Sequence, residues 1–111
     1  MKAKAIAIGY LRRDISGESQ PWDEIQIRTH AKGLGVNLAK TIVFSLYTDR
    51  PIERLMDALK AAGATYVICP GVEHLDGHLA ALEVAGYTVS APRPKRSGLQ
   101  AALAAARAAT A

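Results

Sequence analysis

Residues 3–10 read Ala3-Lys4-Ala5-Ile6-Ala7-Ile8-Gly9-Tyr10, a short and nearly unbroken apolar run. A run of this length predicts a buried strand of a parallel sheet rather than a membrane segment or an isolated helix. Ligands of open α/β sheets bind outside the carboxyl ends of the strands. Arg12, Arg13 and Asp14 follow the run almost at once, so we expect any binding site to include them.

Three further segments are predicted as strands because they are rich in β-branched, aliphatic or aromatic residues. They are residues 40–47, 65–69 and 87–90. Residues 14–20 are polar and are predicted to form a loop between the first strand and the first helix.

Helical patterns separate these strands. Ser19 and Pro21 predict a helix start, after which Trp22, Ile25 and Thr29 recur at helical spacing as far as Gly33 or Gly35. A second helix follows Asp49, a predicted cap, and ends at Gly63; its apolar positions are Ile52, Leu55, Met56 and Leu59. Leu75, Leu79 and Leu82 mark a third helix that ends at Gly86.

The alternation βαβαβαβα predicts a three-layer, doubly wound α/β domain with a mainly parallel sheet. We expect one domain of 111 residues, with a core at 1–91, a basic proline-containing linker at 92–98 and an alanine-rich helix at 99–111. The last helix offers small side chains for close approach in a homodimer, or it packs on its own sheet.

Composition narrows the class of protein. The chain has a formal net charge of +4, 50% hydrophobic residues and one cysteine, which excludes an intrachain disulfide and a cysteine-rich zinc site. We expect a soluble cytoplasmic protein that needs no metal or cofactor and does not associate with a membrane. Its basic balance is compatible with DNA or a phosphate-bearing ligand.

Several short motifs, taken in order, are similar to those of one family. Tyr10-Leu11-Arg12 resembles the Tyr-x-Arg-Val-Ser signature of the resolvase/invertase serine-recombinase catalytic domain, and Asp49-Arg50-Pro51 resembles its Asp-Arg-Pro-Gly-Leu segment. Gln26 falls near a glutamine of the family's first helix. The resemblance implies a resolvase-like fold and DNA strand exchange, in which a serine attacks a phosphodiester while arginines stabilise the phosphoryl charge.

The chain departs from this pattern at two places. Asp14 stands where the family has its nucleophilic serine, and residues 73–77 read Glu-His-Leu-Asp-Gly in place of Asp-Arg-Leu-x-Arg. Only Arg12 and Arg50 match active-site arginines. A catalytically inactive scaffold, dimerisation or regulatory protein is therefore expected. The alternative is an active DNA-nicking enzyme that uses Ser16 or Asp14 as the nucleophile.

Two groups of basic residues are candidates for anion or DNA binding. Arg12, Arg13 and Arg50 could converge on a phosphate at the sheet edge, or Asp14 could pair with one of them in a structural ion pair. A separate cluster of Arg93, Lys95 and Arg96 either contacts DNA phosphates or belongs to an extended linker.

Other chemistry-bearing residues are interpreted structurally. Cys69 ends the third strand and is expected to be a small buried hydrophobe, while His74 and His78 are expected on the surface. A receiver-like phosphoacceptor domain has a similar size and topology. It requires an acidic pair after the first strand and an aspartate after the third, where this chain has Arg12-Arg13-Asp14 and Cys69-Pro70-Gly71.

Overall fold

A four-stranded parallel sheet forms the centre of the domain. The structure is a computed structural model and describes residues 4–92. The strands lie in the order β2-β1-β3-β4 and every neighbouring pair is parallel; they are β1 (Ile6–Arg12), β2 (Asn37–Phe44), β3 (Tyr66–Ile68) and β4 (Thr88–Ser90). The predicted α/β class and parallel sheet are confirmed.

Four α-helices connect or follow these strands: α1 (Arg13–Ser16), α2 (Gln20–Leu34), α3 (Pro51–Ala62) and α4 (Leu79–Val84). Left-handed glycines at φ 74° and 66° end α2 and α3, at the predicted positions Gly35 and Gly63. The predicted Asp49 cap is wrong, because Arg50 occupies the cap position and no side chain caps the helix there.

The structure corrects one loop prediction and one helix prediction. Residues 14–20 are not a loop, because α1 and a 3-10 turn at Gly17–Ser19 lead directly into α2. The predicted helix from Leu75 to Gly86 is broken into a 3-10 turn at Val72–Leu75 and the short helix α4. Asp76 and Gly77 between them have φ values of 49° and 83°, which an α-helix does not accommodate.

The two faces of the sheet are covered differently. Helices α3 and α4 pack on one face, in an apolar cluster that includes Leu55 and Leu82, and α2 covers the other through Ile27 and Ala31. Side chains of β1 alternate between these clusters, as a strand requires. Gly9 lies on the α2 face, where an added Cβ would come within 2.9 Å of Ile27 Cγ2.

The predicted core at 1–91 ends one residue before Pro92, the last described residue. The predictions for Arg93, Lys95, Arg96, the 92–98 linker beyond Pro92 and the 99–111 helix all fall outside the described residues. Within residues 4–92, no helix has the length and apolar character needed to cross a bilayer.

Candidate functional site

The carboxyl end of β1 holds an arginine and an aspartate in a two-point ion pair. Arg12 is 7% exposed, and its Nε and Nη2 donate to Asp14 Oδ1 and Oδ2 at 2.8 and 2.7 Å. Asp14 turns back towards Arg12 because the strand gives way at Arg13 to the single turn of α1. Two parallel charge-assisted bonds fix the guanidinium plane and use both carboxylate oxygens.

This pairing moves the protonation equilibria of both groups. Hydrogen bonding to the Arg12 guanidinium lowers the pKa of Asp14, and the same bond raises the pKa of Arg12. Both shifts favour the charged forms. Asp14 is therefore a carboxylate committed to its arginine.

The segment after β3 closes on Arg12 from the other side. His74 is fully buried, and its Nδ1 accepts the backbone N–H of Arg12 at 3.0 Å; the prediction that His74 lies on the surface is therefore wrong. Because Nδ1 acts as an acceptor, the neutral ring carries its proton on Nε2. Asp76 Oδ2 lies 3.9 Å from Arg12 Nη1, although its own side chain is 78% exposed.

Tyr10 lies beneath this group in the core. Its side chain is 1% exposed and meets Phe44 edge-on at a ring-centroid distance of 5.5 Å. Loss of water on burial raises the pKa of Tyr10, an effect that the nearby Arg12 partly opposes. A neutral tyrosine thus forms the floor under the charged cluster.

Ser16, the alternative nucleophile, faces into the protein. Its Oγ donates to Asp23 Oδ2 at 2.6 Å, and the two residues are only 8% and 3% exposed. A carboxylate beside a hydroxyl resembles the pairing of a base with a nucleophile. Both partners are nevertheless buried, so this bond links α1 to α2, and the Ser16 hydroxyl is not accessible to a DNA phosphate.

The other two arginines of the predicted phosphate group do not join the Arg12 cluster. Arg50 is 68% exposed in its side chain, and its ion pairs go to Asp49 and Glu53, at 3.5 and 3.6 Å. Arg13 is also exposed, at the start of α1. Of the predicted group, the structure brings into contact only Arg12 and Asp14.

The local charge follows from these contacts. Arg12 contributes +1, and Asp14 and Asp76 each contribute −1, so the cluster carries −1 overall. An approaching phosphate would meet a guanidinium whose strongest donors are already occupied. No group of three or more metal-ligating side chains occurs among residues 4–92.

No protein-family model matches this chain, and no curated protein is significantly similar to it. Among solved structures, the C-terminal catalytic domain of ISC1926 TnpA, an IS607-like serine recombinase, superposes with a TM-score of 0.63. The alignment covers 89% of this chain and 78% of that one, at 9% sequence identity. The chain has a serine-recombinase-like fold. This supports the fold expected from Tyr10-Leu11-Arg12 and the strand order, while the chemistry depends on the residues described above.

Sequence reasoning did not assign site contacts to three residues of this recombinase-like fold. His74 and Asp76 contact Arg12 at the sheet edge, and Asp23 accepts the hydrogen bond of Ser16. A signal was available for the first two, since both follow a buried strand and the carboxyl ends of parallel strands meet at one edge. No comparable signal marks Asp23, whose partner Ser16 is seven residues away on a different helix.

Proposed function

We propose that this domain is a non-cleaving, recombinase-like scaffold that acts by binding a partner in a DNA transaction. The proposal rests on one observation: Asp14 accepts the hydrogen bonds of Arg12 Nε and Nη2. The residue that stands in the position of the family's nucleophile instead holds the matching arginine in a two-point ion pair.

The arrangement opposes phosphoryl transfer in two ways. A carboxylate about 4 Å from a phosphate charge is repelled by about 4 kcal/mol at an effective dielectric of 20. The segment 73–77 also has His74 and Gly77 where the family has arginines, and loss of one preorganised charge stabiliser typically costs about 10²–10³ in rate. Both effects raise the barrier.

Of the family's activities, DNA binding is the one that does not require the missing serine and arginines. Backbone phosphates are recognised by lysine and arginine without any nucleophile. The basic residues Arg93, Lys95 and Arg96 follow the folded core directly. We therefore assign duplex contact to this cluster rather than to the sheet edge.

Incubation of the full chain with supercoiled DNA tests the chemical half of the proposal. We expect neither nicking nor a covalent adduct, even at high protein concentration. An adduct that mass spectrometry maps to Ser16 or Asp14, and that disappears in Ser16→Ala or Asp14→Asn, would establish an active enzyme instead.

Salt-dependent binding of a labelled duplex tests the other half. Neutralising Arg93, Lys95 and Arg96 to Gln should reduce the slope of log affinity against log salt by about 0.9 for each phosphate that the protein no longer neutralises. The matched control neutralises Lys32, Lys40 and Lys60, which are exposed on the described surface. Equal effects of the two triple variants would remove the assignment of DNA contact to residues 93–96.

Phosphate titration, followed by NMR, tests the closure of the sheet edge itself. The amides of residues 12–14 should not move in the natural chain. Asp14→Asn should respond to inorganic phosphate, because it removes the charge that occupies Arg12, whereas the exposed control Asp49→Asn should not. Phosphate binding by the natural chain would contradict the occupied state of Arg12.

A further inference from the structure

An open apolar groove runs along the side of α2 that faces away from β2. It has a volume of about 510 Å³ and is lined by residues of α2 and by Pro92. Trp22, Ile25 and Leu34, three large apolar side chains of this helix, are 59%, 44% and 42% exposed. A helix that is apolar on a second side normally has a second packing partner.

The predicted helical repeat of Trp22, Ile25 and Thr29 thus belongs to the groove rather than to the sheet. The sheet-facing stripe of α2 is instead Asp23, Ile27 and Ala31, its buried residues. The helix therefore presents two stripes, and the described residues cover one of them.

The two faces of the sheet differ in the same respect. Helices α3 and α4 share one face, whereas α2 packs against the other beside β1 and β3. At the edge strand β4, contact with α2 includes the pairing of His30 Nε2 with Ser90 Oγ at 2.7 Å. The groove lies beside this pairing, where a fourth covering element would complete the layer.

We propose that residues 93–111 of the same chain dock in this groove and complete the α2 layer. Pro92, the last described residue, itself lines the groove. The segment therefore starts at the site that it would fill. An occupant from another molecule would have to displace this tethered segment.

Length and composition fit this occupant. At about 1.5 Å per residue, a helix over residues 99–111 would span about 20 Å and α2 spans about 22 Å. The segment contains Leu99 and Leu103 among eight alanines, whose small side chains let helices approach closely. Gln26 also lines the groove, and its buried Oε1 has no hydrogen-bond partner within residues 4–92; a polar group of the docked segment, such as the Gln100 amide, would supply a donor.

Trp22 reports occupancy directly, because it is the chain's one tryptophan. In the full chain, acrylamide quenching of its emission should be weak. Leu99→Asp with Leu103→Asp should raise the quenching constant by about twofold and shift the emission to the red, because one face of the indole then meets water. The control Ala101→Asp with Ala108→Asp places the same charges on the opposite helical face and should leave Trp22 protected.

A substitution in the groove itself tests whether the increased quenching of Trp22 comes from loss of docking rather than from misfolding. Leu34→Asp lies at the far end of α2 from Trp22 and is exposed in the described part of the chain, so the core should survive, as circular dichroism can verify. It should raise quenching as the leucine pair does. Equal quenching in the natural chain and all three variants would overturn the proposal.

A disulfide decides whether the occupant belongs to the same chain. Thr29→Cys combined with Ala102→Cys should form an intrachain bond, giving a monomer on non-reducing electrophoresis whose mass is lower by two hydrogens. Cys69 is buried and the single variants control for it. A disulfide-linked dimer, or a Trp22 signal that changes as a light-scattering dimer dissociates on dilution, would assign the groove to a second copy and overturn the proposal.

Discussion

Arg12 and Arg50 are both candidates from the sequence for one phosphate site, yet their surroundings are opposite. Arg12 is nearly buried, held at two points by Asp14 and contacted by the segment after β3. Arg50 stands in solvent, with two looser ion pairs to neighbours in its own segment. Arginine is thus a buried ion-pair partner at the end of β1 and an exposed charge at the start of α3.

A motif that resembles a family's motif therefore does not by itself predict the family's site. A phosphate site requires cations that converge on a shared open space. Here Arg12 is buried and paired with Asp14, whereas Arg50 is exposed and does not contact Arg12. Removing each residue in turn measures how much it contributes to stability.

Arg12→Ala should have the largest effect. It deletes both bonds to Asp14 and leaves that carboxylate without its counterion, at a cost of about 2–3 kcal/mol in the free energy of unfolding. Urea denaturation of the full chain measures this loss. A loss no larger than that of Arg50→Ala would show that the two arginines contribute equally to stability.

His74→Leu should have the second largest effect. The substitution keeps most of the side-chain volume but removes the acceptor for the buried Arg12 N–H, and an orphaned buried donor costs about 1–3 kcal/mol. The exposed His78→Leu serves as the control and should be nearly neutral. Matching losses in the two variants would show that the Nδ1 contact contributes nothing to stability.

Asp14→Asn should reduce stability by about 1 kcal/mol at neutral pH. Because pairing lowers the folded-state pKa of Asp14, its contribution is present above the unfolded value of about 3.9 and is lost as the pH falls through the folded value. The stability curves of the natural chain and the variant should therefore converge in acid. A stability difference between the two proteins that stays constant as the pH is lowered would show that ionisation of Asp14 does not contribute to stability.

Arg50→Ala should have the smallest effect. Exposed ion pairs contribute about 0–1 kcal/mol, and added salt weakens them further. We expect a change within about 0.5 kcal/mol that vanishes in high salt. A larger, salt-resistant loss would mean that Arg50 has a structural role comparable to that of Arg12.

The fold was more predictable from sequence than the site. Apolar runs such as Ile6–Tyr10 and the Ile52, Leu55 and Leu59 repeat fix strands and helices locally, and the parallel order follows from their alternation. Sequence left two roles open for Asp14, a nucleophile or an ion-pair partner of a nearby arginine, and the structure shows the pair.

The burial of His74 was not predictable from sequence, although its place after a buried strand indicated the edge of the sheet. His74 is expected on the surface because its spacing with His78 lacks the rest of a His-Glu-x-x-His metal motif. The left-handed backbone at Asp76 and Gly77 ends the turn at His74 early and leaves His74 buried against Arg12, 62 residues away in sequence. Which side of α2 faces the sheet was likewise a matter of packing, and Ile27 of that side lies against Gly9.

Gly9 sets a limit on how such a chain can evolve. Its missing side chain is what lets α2 lie against β1: a methyl group there would come within 2.6 Å of Thr41 Oγ1 as well as meeting Ile27. The packing of α2 on β1 therefore restricts residue 9 to glycine, whatever residues stand at the carboxyl end of the sheet.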